Sequence, residues 1–211
     1  MTLQLRSRRA FVLLVTLLIP TAIVAIQRTQ SGSVATEKIF EALAIREGQT
    51  VCEVGAGDGE LSIAAAKVVG SIGRVYSSEL GDDRLKALRE KVAASGLGQI
   101  TVVEGEVTKT RFPDAACDAL FMRNVYHHFA DPAAMNTSIA ASVKPGARVA
   151  VVDFTPPGKE AETPTDRGKD GMHGISAESL SRELKDAGLE PVSSQLGDQR
   201  WFMVVVVKPR T

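Results

Sequence analysis

From residue 36 onward, short apolar stretches alternate with longer segments whose apolar positions recur every three or four residues. The short stretches are typical of buried strands, and the longer periodic segments are typical of helices with one apolar face. The pattern predicts strands at Thr50–Val54, Gly73–Ser77, Ile100–Val103, Asp118–Met122, Ala147–Phe154, Pro191–Gln195 and Trp201–Val207. It predicts helices at Glu37–Ala44, Glu60–Val69, Asp82–Ser95 and Ala177–Ala187, and one that begins at Pro132.

The order of these elements predicts the class of fold. Apolar strands that alternate with helices form a parallel sheet covered by helices on both faces. The last two strands are separated by only a few residues, which is too short for a crossover, so they are expected to pair antiparallel. We therefore expect an α/β fold with a mostly parallel sheet of seven strands that ends in an antiparallel hairpin.

The first 28 residues differ in character from the rest of the chain. Residues 1–9 are basic and residues 10–26 carry no charge, which is the layout of a signal peptide or a short membrane anchor. Ser7–Phe11 (S-R-R-A-F) is similar to the twin-arginine export signal. We predict a signal or anchor over residues 1–28, a linker over 29–35 and one domain over 36–211.

This segment also leads to an expected location. Three of its arginines precede the apolar run and only Arg28 follows it, which predicts that the domain lies outside the cytoplasm. We expect a bacterial envelope protein, either exported to the periplasm or anchored at the inner membrane and so associated with the membrane through residues 10–26. A mitochondrial presequence is the eukaryotic alternative.

The charge of the chain limits the classes of molecule that it can bind, and its cysteine content limits its metal sites. The 211 residues carry 25 basic and 25 acidic side chains, but residues 1–28 hold four arginines and no acid, so the remainder is slightly acidic. An acidic body offers no surface for nucleic acid.

The two cysteines, Cys52 and Cys117, lack metal-ligand spacing, and no metal site is predicted. We expect both to be buried free thiols, with a single bridge between them as the alternative.

A glycine-rich loop follows the first strand and reads E-V-G-A-G-D-G-E over residues 53–60. Glycines there let the backbone turn sharply and approach a ligand closely. A dinucleotide fingerprint would need Gly where Glu60 stands, and the Lys of a phosphate-binding Walker loop is absent. A carboxylate beside the loop favours a ligand with a cationic, amino-acid-like head.

The loop resembles motif I of the class I S-adenosylmethionine-dependent methyltransferases, and the resemblance extends from Thr36 to Lys208. It implies a Rossmann-like fold and S-adenosylmethionine as cofactor. It also implies that Glu79 binds the ribose hydroxyls and that Glu106 receives the adenine amino group, although the family more often has Asp at the latter position. The implied cofactor-binding residues are Glu53, Gly55, Ala56, Gly57, Gly59, Glu79, Leu80, Glu106, Val107 and Asn124.

Histidines supply the candidate catalytic groups. His128, and secondly His127, could accept a proton from the methyl acceptor, because neutral imidazole does so near pH 7. The alternative is that one of the pair packs or caps. His173 is a candidate for lining the acceptor pocket, and Tyr126 either faces the transferred methyl group or packs in the core.

The methyl acceptor is expected to be a small molecule or a lipid-like compound. No substrate domain is appended, and the long polar segment 155–175 is interpreted as an active-site lid. Two other classes stay open, namely a non-catalytic S-adenosylmethionine-binding protein and a nicotinamide-linked reductase on a similar sheet. The oligomeric state is not predicted.

Overall fold

The computed structural model describes residues 34–197 and 199–210. The predicted signal or anchor, and most of the predicted linker, lie outside the described residues. Within the described ranges, no helix combines the length and apolar character needed to cross a membrane.

One seven-stranded sheet forms the centre of the domain, in the order β3-β2-β1-β4-β5-β7-β6. All neighbours pair in parallel from β3 to β5, and β7 runs antiparallel to both β5 and β6. The strands are β1 Thr50–Val54, β2 Arg74–Glu79, β3 Ile100–Glu104, β4 Cys117–Arg123, β5 Val143–Phe154, β6 Glu190–Leu196 and β7 Trp201–Val207. The predicted α/β fold with its antiparallel terminal hairpin is confirmed.

The described residues contain five α-helices that pack against the sheet, and two of them begin at a residue whose side chain caps the helix. The Asp131 carboxylate accepts the Ala134 N–H at 3.0 Å, and the Ser176 hydroxyl accepts the Ser179 N–H at 3.1 Å. The helices are α1 Thr36–Leu43, α2 Glu60–Val69, α3 Asp82–Ser95, α4 Pro132–Ser142 and α5 Ala177–Asp186. Two short 3₁₀ helices that the pattern did not predict span Tyr126–His128 and Pro164–Asp166.

Two apolar cores lie on opposite faces of the sheet. Successive strand residues point to opposite faces, so Val51 packs with α1 and α2 while its neighbour Cys52 packs with α4 and α5. Covering both faces explains why the central strands are apolar at nearly every position.

The expectation of two free thiols is wrong, because Cys52 and Cys117 form a disulfide. Their strands, β1 and β4, are neighbours, and an irregularity between Cys117 and Ala119 turns Cys117 toward the face that Cys52 occupies. The Cα atoms are 5.8 Å apart and both side chains are fully buried. The spacing of the two cysteines in the sequence carries no sign of this pairing.

Strand β5 begins four residues earlier than predicted. Pro and Gly are typical turn residues, so Pro145 and Gly146 favour a strand that starts after them, but Val143 already pairs with Cys117. Gly146 has a φ of +83°, and its N–H donates to the Lys208 carbonyl at 2.7 Å. The pair therefore forms an irregular start of the strand that is still hydrogen-bonded to the chain beyond β7.

Candidate functional site

A cavity of about 630 Å³ opens where β1, β2 and β4 end. In an open parallel sheet this edge is the usual place for a ligand, and the volume is typical of small-molecule sites. Nine of the ten predicted cofactor-binding residues line it: Glu53, Gly55, Ala56, Gly57, Glu79, Leu80, Glu106, Val107 and Asn124. Gly59 does not, because it caps α2 and faces Leu88. Their contacts with a cofactor stay predictions.

The glycine-rich loop forms the wall of the cavity next to β1. Gly55 and Gly57 both have a positive φ, at +68° and +55°. A Cβ added to Gly55 would lie 2.5 Å from a methyl carbon of Val125, so this glycine is required for packing. A Cβ on Gly57 would meet no protein atom within 4 Å. Since Gly57 lines the cavity, that open space is available to a ligand.

Glu79, at the end of β2, fixes the position of the loop. Its carboxylate accepts the Gly57 N–H at 2.7 Å and the Leu80 N–H at 2.8 Å. The side chain is 6% exposed, and the Arg84 guanidinium is 3.9 Å away. Each carboxylate oxygen keeps a further lone pair, so Glu79 can also accept hydroxyl protons from a ligand in the cavity.

Glu53, the acid that precedes the loop, is buried at the end of β1. It accepts a hydrogen bond from the Ser62 hydroxyl of α2. Burial raises the pKa of Glu53 to about 8, because water no longer solvates its charge, while the Ser62 hydrogen bond acts in the opposite direction. A cationic ligand head in the cavity would favour the ionised carboxylate.

Two exposed apolar side chains lie beside the acids after β2 and β3. Leu80 is 41% exposed and Val107 is 60% exposed, and both line the cavity. Glu106, next to Val107, forms an ion pair with Arg111. A pair of exposed aliphatic side chains next to a carboxylate suits a flat ring that carries a hydrogen-bond donor.

The other side of the cavity follows β4. Asn124 has a φ of +60°, which is uncommon for a residue other than glycine, and its N–H donates to the Val152 carbonyl at 2.8 Å. His128, Phe129 and Trp201 also line this side. It combines apolar surface with one imidazole, which is a suitable lining for a small, partly apolar acceptor.

The two candidate catalytic histidines differ in position. His128 is exposed and lines the cavity, whereas His127 is buried, does not line it, and lies 2.9 Å from the Asp153 carboxylate through Nδ1. Partial desolvation by the surrounding protein, and then the neighbouring imidazole of His127, lower the pKa of both His128 and His173. His128 is therefore mostly neutral at pH 7 and able to accept a proton. His173 contacts His127 and lies outside the cavity lining.

Of the two positions left open for Tyr126, the structure shows packing in the core: the side chain is fully buried, and its hydroxyl accepts from the Asn136 amide and donates to Glu183. The expectation of a lid fails. Segment 155–175 does not cover the site, since none of its residues lines the cavity. It is held to α5 by the ion pair between Arg167 and Glu183. The prediction of a lid rested on the length and polarity of the segment, which do not reveal where it packs.

Sequence reasoning missed several residues of this region. Arg84, Lys109, Arg123, Met135 and Trp201 line the cavity without belonging to a recognisable motif. Asp153 could have been found, because an acid near the end of the apolar strand V-A-V-V-D-F is unusual. A buried acid requires hydrogen-bond partners, and the His127 ring and backbone N–H supply them here.

The sheet order, the terminal hairpin and the glycine-rich loop at the end of β1 together define the class I methyltransferase fold. Residues 52–151 match the family model described as a methyltransferase domain. Over these residues, slightly less than half of the chain, the protein is similar to methyltransferase domains, and its fold is that of the S-adenosylmethionine-dependent methyltransferases.

Individual proteins show the same likeness. A ubiquinone/menaquinone biosynthesis C-methyltransferase, UbiE, of Marinomonas sp. (strain MWYL1) is 29% identical over 117 residues, which are 55% of this chain and 47% of the relative. The chain thus spans about half the length of that relative. A SAM-dependent methyltransferase from Aquifex aeolicus superposes with a TM-score of 0.71 and 25% identity, covering 82% of this chain and 89% of that one.

A third likeness concerns the fold alone. A Haemonchus contortus phosphoethanolamine N-methyltransferase 2, solved in complex with S-adenosyl-L-methionine, superposes with a TM-score of 0.68. The identity is 15%, and the match covers 83% of this chain and 52% of that one.

Proposed function

We propose that the protein transfers a methyl group from S-adenosylmethionine to a small-molecule or lipid-like acceptor. The observation that carries this proposal is the continuity of one cavity. The glycine loop and the two acids Glu53 and Glu79 line one part of it, and His128 and Trp201 line another part. A single space therefore adjoins both the predicted cofactor residues and a separate, partly apolar surface for an acceptor.

The residues present fit the cofactor. The open space at Gly57 accommodates the methionine part of S-adenosylmethionine. Glu53 lines the same cavity and can stabilise the ammonium group of that methionine part. Glu79 has lone pairs to accept the ribose hydroxyls. Leu80 and Val107 offer apolar surface for the adenine ring.

S-adenosylmethionine supplies the chemistry when bound, because its sulfonium carries an electrophilic methyl group. The side chains of this protein hold the acceptor and, where needed, remove a proton. His128 is the candidate base, since its imidazole is mostly neutral at pH 7 and lines the cavity. It is required only for an acceptor that carries a proton on the attacking oxygen or nitrogen, or on a hydroxyl that activates a ring carbon.

The choice of acceptor class rests on the lining and on the relatives. Phe129, Met135 and Trp201 supply apolar surface. Matches to enzymes named as ubiquinone/menaquinone biosynthesis C-methyltransferases support phenolic, lipid-like acceptors as the first group to test.

The test is incubation of the purified protein with methyl-labelled S-adenosylmethionine and either phenolic quinone precursors or small amines. We expect S-adenosylhomocysteine and a labelled phenolic product. Tight cofactor binding without product from either pool would instead support a non-catalytic binding protein. A change in nicotinamide absorbance with an added nucleotide would support the reductase alternative.

We also propose that the domain functions in a bacterial envelope. The support is the charge pattern of residues 1–28, and the buried Cys52–Cys117 bridge is consistent with it, because such bonds persist mainly in oxidising compartments. A reporter active only outside the cytoplasm, fused after residue 40, should be active, and Arg8-Arg9→Lys-Lys should silence it if the twin-arginine route is used. A silent reporter on the unaltered segment would contradict export.

A further inference from the structure

The chain contains three histidines, and the fold brings all of them together. His127 and His128 lie in the 3₁₀ helix after β4, and His173 lies in the segment before α5. One ring nitrogen of each histidine lies within 4.8 Å of the corresponding nitrogens of the other two. The Nε2 atoms of His127 and His173 are only 2.9 Å apart. Three imidazoles at one point form a set of donors suited to a transition metal.

Asp153 determines which nitrogen of His127 is available. Its fully buried carboxylate accepts the His127 backbone N–H at 3.1 Å and lies 2.9 Å and 3.1 Å from Nδ1. A carboxylate only accepts hydrogen bonds, so Nδ1 carries the proton and Nε2 directs its lone pair toward His173. A carboxylate that orients a histidine in this way is the usual outer partner of a metal-binding imidazole.

The distances are close to those that coordination requires. Two imidazole nitrogens on a tetrahedral zinc ion are each about 2.0–2.1 Å from the metal and therefore about 3.3 Å apart. The Nε2 atoms of His127 and His173 need to separate by a few tenths of an ångström to reach this spacing. His173 and His128 are exposed, so their side chains have room to rotate, while buried His127 serves as the fixed ligand.

We propose that His127, His128 and His173 bind one transition-metal ion of the zinc class, whose open coordination position faces the cavity. Three protein ligands and one open position are the arrangement of catalytic rather than structural zinc sites. His128 lines the cavity, so the ion would lie beside the acceptor surface. Its role there rests on the proposed function: the ion would hold a hydroxyl or phenol oxygen of the acceptor and let its proton leave to water, which would replace proton transfer to His128, because a metal-bound imidazole has no free lone pair.

The first experiment uses the full chain without an affinity tag, stripped of metal by a chelator. Zn²⁺ is titrated by calorimetry, and Co²⁺ serves as an optical probe. We expect one ion per chain, visible absorption bands of a tetrahedral nitrogen-ligated Co²⁺, and ring-nitrogen NMR shifts in all three histidines. The NMR reading is simple because the chain has no other histidine.

Variants then test the site itself. His128→Ala and His173→Ala remove exposed ligands and should each weaken Zn²⁺ binding at least tenfold, and Asp153→Asn should weaken it about 10- to 100-fold. Asp170→Asn is the matched control, because this exposed carboxylate lies three residues from His173 and should not affect binding.

The proposal is overturned if no saturable binding of one ion per chain occurs. It is equally overturned if binding survives both alanine substitutions, or if Asp170→Asn abolishes it. Titration of the same metal-free wild-type protein with S-adenosylmethionine tests the proposed function separately. Cofactor binding without metal binding would remove the metal site and leave the methyltransferase proposal intact.

Discussion

Replacement of Glu79 by Gln is expected to weaken cofactor binding through one defined loss. The two carboxylate oxygens accept backbone N–H groups of Gly57 and Leu80 at 2.7 and 2.8 Å, and their remaining lone pairs face the cavity. The Gln amide keeps one acceptor oxygen and places a donor where the other oxygen was. One ribose hydroxyl then loses a charged acceptor, a contribution of about 1.5–3 kcal/mol. The dissociation constant for S-adenosylmethionine should therefore rise about 10- to 150-fold.

Calorimetric titration measures this change, and Glu104→Gln is the matched control. Glu104 pairs with Glu79 across β2 and β3, has the same charge and does not line the cavity. Thermal unfolding without cofactor should show a lower Tm for Glu79→Gln, because one loop N–H also loses its acceptor. A dissociation constant equal to that of Glu104→Gln would remove Glu79 from the cofactor site and refute the reasoning.

Three further predictions concern the loop, the buried acid and the disulfide. Gly57→Ala should abolish detectable S-adenosylmethionine binding in the same titration. The control is Gly96→Ala, which has a similar positive φ and equally open surroundings and should preserve binding. Normal binding by Gly57→Ala would mean that the loop does not form the wall of the cofactor site. The Glu53 pKa is raised in the folded protein to about 8 from an unfolded value of 4.5, so its contribution to stability is present below 4.5 and is lost as pH rises toward 8. In urea titrations without cofactor, the unfolding free energy of the wild type should fall by about 1 kcal/mol per pH unit across this window relative to that of Glu53→Gln. If the difference in unfolding free energy between the two proteins did not change with pH, the burial of a protonated acid would be contradicted. Replacing Cys52 and Cys117 together by Ala should lower the free energy of unfolding by about 2–4 kcal/mol, because the bridge joins residues 65 apart. If the wild-type protein had two reactive thiols per chain in denaturant without reductant, this would show that no bridge forms.

The sequence was most informative where local chemistry determines structure. The bounds of β1, α2, α3 and β7 were predicted to the residue, because each is an apolar or periodic segment that ends at a turn residue or a cap. The early start of β5 was not predicted, because Pro145 and Gly146 are ordinary turn residues when read alone. Only pairing with β4 and with the chain beyond β7 holds them in an extended path.

For the site, too, local sequence motifs were predictable, whereas features that depend on packing between separate segments were not. The loop and the acids Glu79 and Glu106 were found because they follow strands in a recognisable order. The choice between the two positions of Tyr126 stayed open because it depends on Glu183, 57 residues away. The lid predicted for segment 155–175 is wrong because the segment packs against α5 through Arg167 and Glu183, which its length and polarity do not indicate. The convergence of His173 with the His127–His128 pair depends on the same long-range packing, so no local pattern could indicate it.

The cavity as the cofactor site is the central claim, and a crystal structure with S-adenosylhomocysteine tests it most directly. The account predicts that the ribose hydroxyls lie within hydrogen-bond distance of the Glu79 carboxylate. It also predicts that the amino acid part lies against Gly57, and that the adenine lies between Leu80 and Val107. A ligand located elsewhere, or one in this cavity that leaves Glu79 without a ribose contact, would contradict the account.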